Sequence, residues 1–554
     1  MKKNGTIKKN SFVEGAMIAT VAVIVTKILG MLYVIPFYKI IGSQGGALYS
    51  YAYNIYNIFL DISSAGIPIA ISKIISEYNT LGYKEAKYRV YKLGIKAISR
   101  LSVFAFLIMF VFADYIAALI IGNITGGNTI SDIGFVIRCV SIAILVIPFL
   151  SVTKGYFQGH SIIAPTSIGT VLEQVVRISV ILIGSFLSYK VFSQSLTLSV
   201  GIALSGAFFG GLIAYIYLRL KMKKNRETLG IKEYKVKDDI TDKDIIKKII
   251  SYAMPFVIIN IATNIYNFTD MVLILRGLNI LGYSAADAEF IQSAVTTWTV
   301  KICMIVNSFS IGMVVSLIPN MVSSFVKGNW SDVNNKINKA YQMIMIISIP
   351  CGVGLCILRE PVWKVFYGTS VYGPEVLGIM VISAIFANLY AITFNTMQSL
   401  NKYRTVYISV FVGFGLNALL DIPLMLLLDK LSLPAFFGAP LATTIGYLVS
   451  IYIATHDLRH NHHMKFKSTY MMLLKIMVPT ITMIFALGLF NHFVHFNLLS
   501  RASSIMMIIT ESLIGGTIYL IISYKMGLFD IIFGRNKINE IIKKLTFGKV
   551  SLKN

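Results

Sequence analysis

Eight ionisable side chains lie inside long apolar stretches of this 554-residue chain: Lys27, Asp61, Glu173, Arg177, Asp270, Lys301, Asp421 and Glu511. Charge at that depth is costly and ordinarily faces a partner or a polar path. Lys27 ("TKILG") and Lys301 ("TVKIC") have no acidic residue within one helical turn on either side. Two such cations beside a shared hollow would attract an anion such as a phosphate or pyrophosphate, each acting as a point charge. The competing reading is that Asp61 or Asp270 neutralises them across helices.

A second constellation is acidic. In "GFGLNALLDIPLMLLL" (413–428) Asn417 and Asp421 are four residues apart, so they share one helix face. With Asp270 and with Thr443 in "APLATTIGY", they offer two carboxylates, an amide oxygen and a hydroxyl. That donor set suits a hard cation such as Na⁺. A proton on one carboxyl would serve equally, and a plain Asn/Asp hydrogen bond that fixes helix packing is the third reading. Glu173 and Arg177, also four apart, are expected to form a structural ion pair. Glu511 either pairs with a neighbour or lines a groove.

These residues need helices to position them. Hydrophobic residues make up 56% of the chain, charged residues 14%, and mean hydropathy is +0.73. A soluble chain would carry about 25% charged residues. Apolar runs recur at the length needed to cross roughly 30 Å of hydrocarbon as helices. They lack the short alternating segments of a membrane barrel. The expected class is an all-α polytopic membrane protein. Fourteen spans are predicted: 12–41, 46–76, 91–121, 133–157, 162–188, 192–219, 246–277, 286–325, 333–358, 373–398, 404–428, 435–456, 469–495 and 503–525. The first apolar run is too long for a cleavable signal core and is expected to remain as the first span.

With the N-terminus placed in the cytoplasm, the cytoplasmic segments hold 35 Lys and Arg and the external loops 6. The positive-inside rule then puts both termini in the cytoplasm. The net charge of +25 belongs to loops facing the anionic membrane lipids of the inner leaflet and does not imply nucleic acid. The largest basic segment, 219–248, reads as a solvated linker at mid-chain. The tail reads as amphipathic and is expected on the inner leaflet. The four cysteines lie in apolar runs and read as small core residues. "HDLRHNHHMKFK" (456–467) reads as a wet basic turn more than a metal site.

An internal repeat organises the spans. "GIPIAISKIISEYNTLGYKEA" (66–86) and "GMVVSLIPNMVSSFVKGNWSD" (312–332) share the order Gly, Pro, polar turn with Gly, at an offset of 246 residues. Gln158 and Gln398 occupy matching helix ends at an offset of 240. The expected division is an N-lobe at 1–219, a basic cytoplasmic linker at 220–245, a C-lobe at 246–456, two further helices at 457–525 and the tail at 526–554. Two six-helix lobes in one orientation are a transporter architecture with its substrate site near the midplane.

"TKILGMLYVIPFYKIIGSQGGALYSYAYNIYNIFL" (26–60) and "GIPIAISKIISEYNTLGYKEA" resemble the Gram-positive polysaccharide-exporter flippases. That group includes the MurJ-type lipid II flippases and the stage V sporulation protein B group of the multidrug/oligosaccharidyl-lipid/polysaccharide exporter superfamily. The resemblance implies alternating access between two lobes, and a groove at spans 13 and 14 for a lipid tail. It implies cavity cations on spans 1, 2 and 8: Lys27 stands where the family has Arg, and Lys301 suits the third position. Span 2 departs from the pattern and offers Asp61 instead, with Lys73 much later. The resemblance also implies a sodium site on spans 7, 11 and 12, matched by Asp270, Asn417, Asp421 and Thr443.

The expected function is therefore a flippase, and not an enzyme, for a polyprenyl-pyrophosphate-linked glycan. Lys27, Lys301 and Asp61 would bind substrate. Na⁺ is a possible coupling ion, no other cofactor is called for, and the protein is expected to be a monomer. The alternatives are a cation-coupled multidrug exporter, which the lysines disfavour, and a glycan polymerase or ligase, which the short external loops disfavour.

Overall fold

Inside hydrocarbon a segment must satisfy its own backbone N–H and C=O groups, which leaves the helix as the form open to these apolar runs. The computed structural model describes residues 12–533 apart from 65, 123, 232–237, 308–320, 322–323, 495 and 497–499. Every regular element among the described residues is helical. They are α1 (Phe12–Leu32), α2 (Val34–Ser64), α3 (Ile67–Thr80), α4 (Lys84–Val111), α5 (Ala113–Ile121), α6 (Ile130–Ser141), α7 (Ile147–Gly159), α8 (Ala164–Ser179) and α9 (Leu196–Lys224). There follow α10 (Asp242–Ile280), α11 (Ala285–Ser293), α12 (Trp330–Ile357), α13 (Arg359–Tyr367), α14 (Gly373–Ser399), α15 (Tyr403–Lys430), α16 (Gly438–His462), α17 (Lys467–Phe493), α18 (Arg501–Lys525) and α19 (Leu528–Phe533).

Eleven described helical segments are long and apolar enough to cross a membrane. The expectation of fourteen reaches beyond them. The predicted span 286–325 and the second copy of the repeat, 312–332, lie partly outside the described residues, as do parts of the linker and most of the tail. The first run holds the shorter apolar helix Met17–Leu32, and α10, over the predicted span 246–277, is not among the eleven. The first predicted span, 12–41, is two elements. α1 ends at Leu32, and the turn expected after residue 41 is a kink at Gly42 (φ 67°, ψ −170°). Glycine adopts that left-handed backbone without strain.

The helices that follow polar turns start on side-chain caps. Thr129 and Asp132 form a reciprocal capping box at α6. Thr241, Ser284, Asn329 and Ser500 cap α10, α11, α12 and α18. Each supplies an acceptor to backbone donors that have no partner inside the helix.

The chain divides into two compact units, Met1–Ile302 with Asn417–Ala442, and Cys303–Leu416 with Thr443–Asn554. These cut the chain differently from the six-helix lobes drawn on the repeat. In the first unit, Ser50 meets Thr297 (2.7 Å) and Thr296 (3.2 Å), and Asn54 donates to both threonines. Ser50 and Thr296 are 246 residues apart, the same offset as the sequence repeat.

The linker is less solvated than its charge suggests. Leu229 is fully buried in a core with Tyr91, Tyr156 and Leu218, and Tyr156 Oη donates to the Leu229 carbonyl at 2.6 Å. Asp238 accepts from the Glu85 and Ala86 amides at 3.0 and 2.8 Å, capping α4, and Arg89 holds the Ile240 carbonyl at 2.6 Å. The apolar residues between the lysines, together with orphan donors at the helix start, bind this segment down.

In the second unit, Tyr341 meets Thr393 at 2.6 Å, and Tyr519 Oη donates to the Ile346 carbonyl at 2.7 Å. His462 stacks on Trp330 with ring centres 3.9 Å apart. Glu511 is fully buried on α18 with Asn491 beside it. Of the cysteines, Cys303 is buried as expected, whereas Cys351 is exposed on α12.

Candidate functional site

The expected cations come together around one tyrosine of the first unit. α2 carries the run "YSYAYNIY", with Tyr49 and Tyr53 one turn apart and stacked at 5.6 Å. Lys301 Nζ lies 4.9 Å from the centre of the Tyr53 ring, inside the range of a cation–π contact. Lys27 on α1 has Tyr53 and Lys301 as electrostatic neighbours. A π-helical turn, Ala294–Trp298, precedes Lys301 and alters the helical phase at that point. It places Trp298 against Tyr49 (5.9 Å) and Tyr38 (5.1 Å). Lys27, Tyr53 and Lys301 are all partly exposed. Among the described residues neither lysine has an acid within salt-bridge distance. Asp61 and Asp270 both bond amides: Asn264 on α10 donates to Asp61, and Asp270 accepts from Asn417. Asp61 lies two helical turns beyond Tyr53, about 12 Å along the axis. Lys73 lies over the Tyr252 ring at 4.1 Å.

The expected Glu173–Arg177 pair is present at 2.8 Å, but it is not closed. Lys154 of α7 reaches the other oxygen of Glu173 at 3.0 Å. One carboxylate is shared by two cations, which leaves a net positive charge. Arg177 is also an electrostatic neighbour of Lys301 and Tyr53. Among the described residues, the cations Lys27, Lys154, Arg177 and Lys301 thus stand near two carboxylates, Glu173, which two of them share, and Asp61, which bonds Asn264. Sequence reasoning missed Tyr53, Lys154 and the uncompensated half of Arg177. The tyrosine run on α2 was the available signal.

The acidic constellation also assembles in the first unit. The Asn417 amide donates to Asp270 at 2.9 Å and to Asp421 at 3.1 Å. The two carboxyls lie side by side, and Asn417 and Asp421 are fully buried. Two charged carboxylates at such a place repel one another, and a proton on one of them, or a cation between them, removes that repulsion. The pair fits a proton or a monovalent cation, and turning the amide about its axis would present its oxygen to such an ion. Thr443, the fourth expected member, is buried on α16 and begins the second unit.

The model of one family, described as polysaccharide biosynthesis protein, matches residues 12–325. The chain belongs to the polysaccharide biosynthesis protein family. Relatives within reach of this family include the lipid II flippase MurJ of Bacillus subtilis (strain 168), 31% identical over 541 residues, covering 95% of this chain and 97% of that protein. Stage V sporulation protein B of the same organism is 21% identical over 449 residues, 80% of this chain and 82% of that one. A solved structure of lipid II flippase MurJ in an inward closed conformation superposes with TM-score 0.67 at 17% identity, covering 94% of this chain and 100% of that one. An inward-facing multidrug resistance MATE family transporter gives 0.59 at 14% identity, covering 80% and 98%. This member of the polysaccharide biosynthesis protein family is a multi-pass membrane transporter, not an enzyme, and it shares the fold of MurJ and MATE proteins.

Proposed function

We propose that the protein is a flippase that moves a lipid-linked oligosaccharide pyrophosphate, a lipid II-like cell-wall precursor, from the inner to the outer leaflet by alternating access. The observation that carries this reading is the pair Lys27 and Lys301, which have no acidic partner among the described residues and lie beside Tyr53 on a partly exposed face. A headgroup with a pyrophosphate faces tens of kcal/mol if it crosses hydrocarbon unaided. The lysines hold the phosphates as point charges, and Arg177, only half-neutralised by a Glu173 that also serves Lys154, adds to their field. Asp61, which accepts a hydrogen bond from Asn264, would face the polar part of the headgroup. The polyprenyl chain stays in lipid along α17 and α18. The likeness to a lipid II flippase over nearly the full length supports the substrate class. The four-cation face disfavours a carrier of cationic drugs.

The finer topology belongs to the same reading: fourteen crossings, two six-helix lobes at 1–219 and 246–456, both termini cytoplasmic, and basic loops against anionic lipids. Asp270, Asn417 and Asp421 of the first unit would hold Na⁺, or a proton in its place, with Thr443 named beside them by the sequence pattern alone. Bound there, the cation would cancel carboxylate charge and tie its own gradient to the conformational cycle. The membrane potential contributes about 2.3 kcal/mol per charge per 100 mV to such a step.

Complementation of a strain depleted of its lipid II flippase tests the reading. The wild-type chain and Lys27→Arg/Lys301→Arg are expected to restore growth. Lys27→Gln/Lys301→Gln is expected to reach the membrane in equal amount and fail. Growth restored by the Gln double variant would refute the role given to the lysines.

A further inference from the structure

A second cationic site lies apart from the candidate transport face, where the end of α9 meets α4 and the start of the linker. A cavity of about 290 Å³ opens there, lined by Arg219, Lys223 and Arg226, with Tyr88 on its α4 side. No acidic residue lines it among the described residues. Three positive charges facing one hollow repel one another, and an anion placed among them relieves that repulsion. The hollow is built: Arg219 Nη1 is held by Tyr91 Oη at 3.2 Å, and Tyr91 is buried. The linker turn that forms one wall is tied down by the Tyr156–Leu229 hydrogen bond.

Two more residues of the lining decide what kind of anion fits. Ile216 and Leu220 are one turn apart on α9 and are 47% and 62% exposed. They make an apolar lip on a membrane-crossing helix, continuous with the basic floor. Tyr217, next to this lip, carries Lys221 over its ring at 5.5 Å, an arrangement suited to the headgroup depth. A free phosphate uses the cations and leaves the lip without purpose. A phospholipid uses both, with its phosphate on the three cations and its acyl chain along Ile216 and Leu220.

We infer that this cavity is a binding site for the phosphate of an anionic membrane phospholipid, seated beside the linker between the two repeats. Bound lipid would fasten the linker to the membrane boundary. The site does not depend on the identity of the transported substrate.

The test uses the purified full chain in detergent and native mass spectrometry with added phosphatidylglycerol, phosphatidylcholine or inorganic phosphate. Wild type is expected to retain phosphatidylglycerol over phosphatidylcholine. Arg219→Gln/Lys223→Gln/Arg226→Gln is expected to lower that retention at least about tenfold, since each basic residue contributes independently near an anionic headgroup. Lys223→Glu/Arg226→Glu, which leaves the Arg219–Tyr91 contact in place, is expected to do the same and guards against a folding defect. Lys84→Gln/Lys243→Gln/Lys247→Gln removes three exposed charges elsewhere and is expected to change retention less than about twofold. Equal loss in the control and the cavity variants overturns the site in favour of diffuse surface charge. Absence of a preference for phosphatidylglycerol, or phosphate binding that depends on the cavity residues while the lipid's does not, overturns the phospholipid.

Discussion

Lys301 holds its ammonium 4.9 Å from the centre of the Tyr53 ring, and Lys27 shares that tyrosine as a neighbour. The ring supports a cation where a carboxylate would cancel it. Tyr53→Phe keeps the ring face and is expected to retain most transport. Tyr53→Leu loses about 0.5–2 kcal/mol of support for the lysine and is expected to weaken substrate binding several-fold. Binding of labelled lipid II to the purified variants reads the difference. Equal behaviour of Phe and Leu would remove the ring from the site.

Glu173 serves two cations, Arg177 at 2.8 Å and Lys154 at 3.0 Å. Glu173→Gln leaves both without their carboxylate in a largely buried place and is expected to lower stability by about 3 kcal/mol. Glu173→Gln/Arg177→Gln is expected to recover most of that loss. Thermal unfolding in detergent measures both, and a Glu173→Gln variant as stable as wild type would contradict the shared-carboxylate arrangement.

The Asp270–Asn417–Asp421 cluster sets two carboxyls side by side around one amide, and the proposed function puts a cation there. At constant ionic strength, NaCl in place of choline chloride is expected to raise the wild-type Tm, by an amount equivalent to about 1–3 kcal/mol at saturating ion. Asp421→Asn is expected to abolish the increment while keeping the fold, because the amide has the same shape. A wild-type Tm blind to the salt would leave a proton, or a packing hydrogen bond alone, at this position.

Outside the membrane, the Thr241 hydroxyl hydrogen-bonds Asp244 and holds its carboxyl below the usual carboxylate range. A carboxylate whose folded value is depressed contributes stability above its unfolded value, near about 4, and loses it as pH falls through the folded value. The protection of amides in the first turn of α10, corrected for the intrinsic pH dependence of exchange, is therefore expected to fall a few-fold at most as pH drops from about 5 to about 3. Asp244→Asn is expected to flatten that dependence. A pH response unchanged by the substitution would assign the fraying to other groups.

Much of this was legible in the residues themselves. Length and hydropathy of the apolar runs specify helices. The four-residue spacing put Asn417 on the same face as Asp421, and the sequence shows no acid within one turn of Lys27 or Lys301 in their own helices. Contacts between helices were not legible, because spacing rules speak for one helix at a time. Asp270 is 147 residues from Asn417, and Lys154 is 19 residues from Glu173 across a turn. Tyr53 was hidden within an apolar aromatic run, and the π turn before Lys301 shifts the phase that a regular helix would have given it. The linker was read by its lysines, while Leu229 and Asp238 decide where it lies.

The central claim is that Lys27 and Lys301 hold the phosphates of the crossing headgroup. Its most direct test is the initial rate at which fluorescent lipid II crosses the bilayer of proteoliposomes holding equal amounts of folded protein. Lys27→Gln/Lys301→Gln is predicted to fall to the rate of protein-free liposomes, while Lys27→Arg/Lys301→Arg retains transport. A Gln double variant that flips lipid II at the wild-type rate would contradict the account.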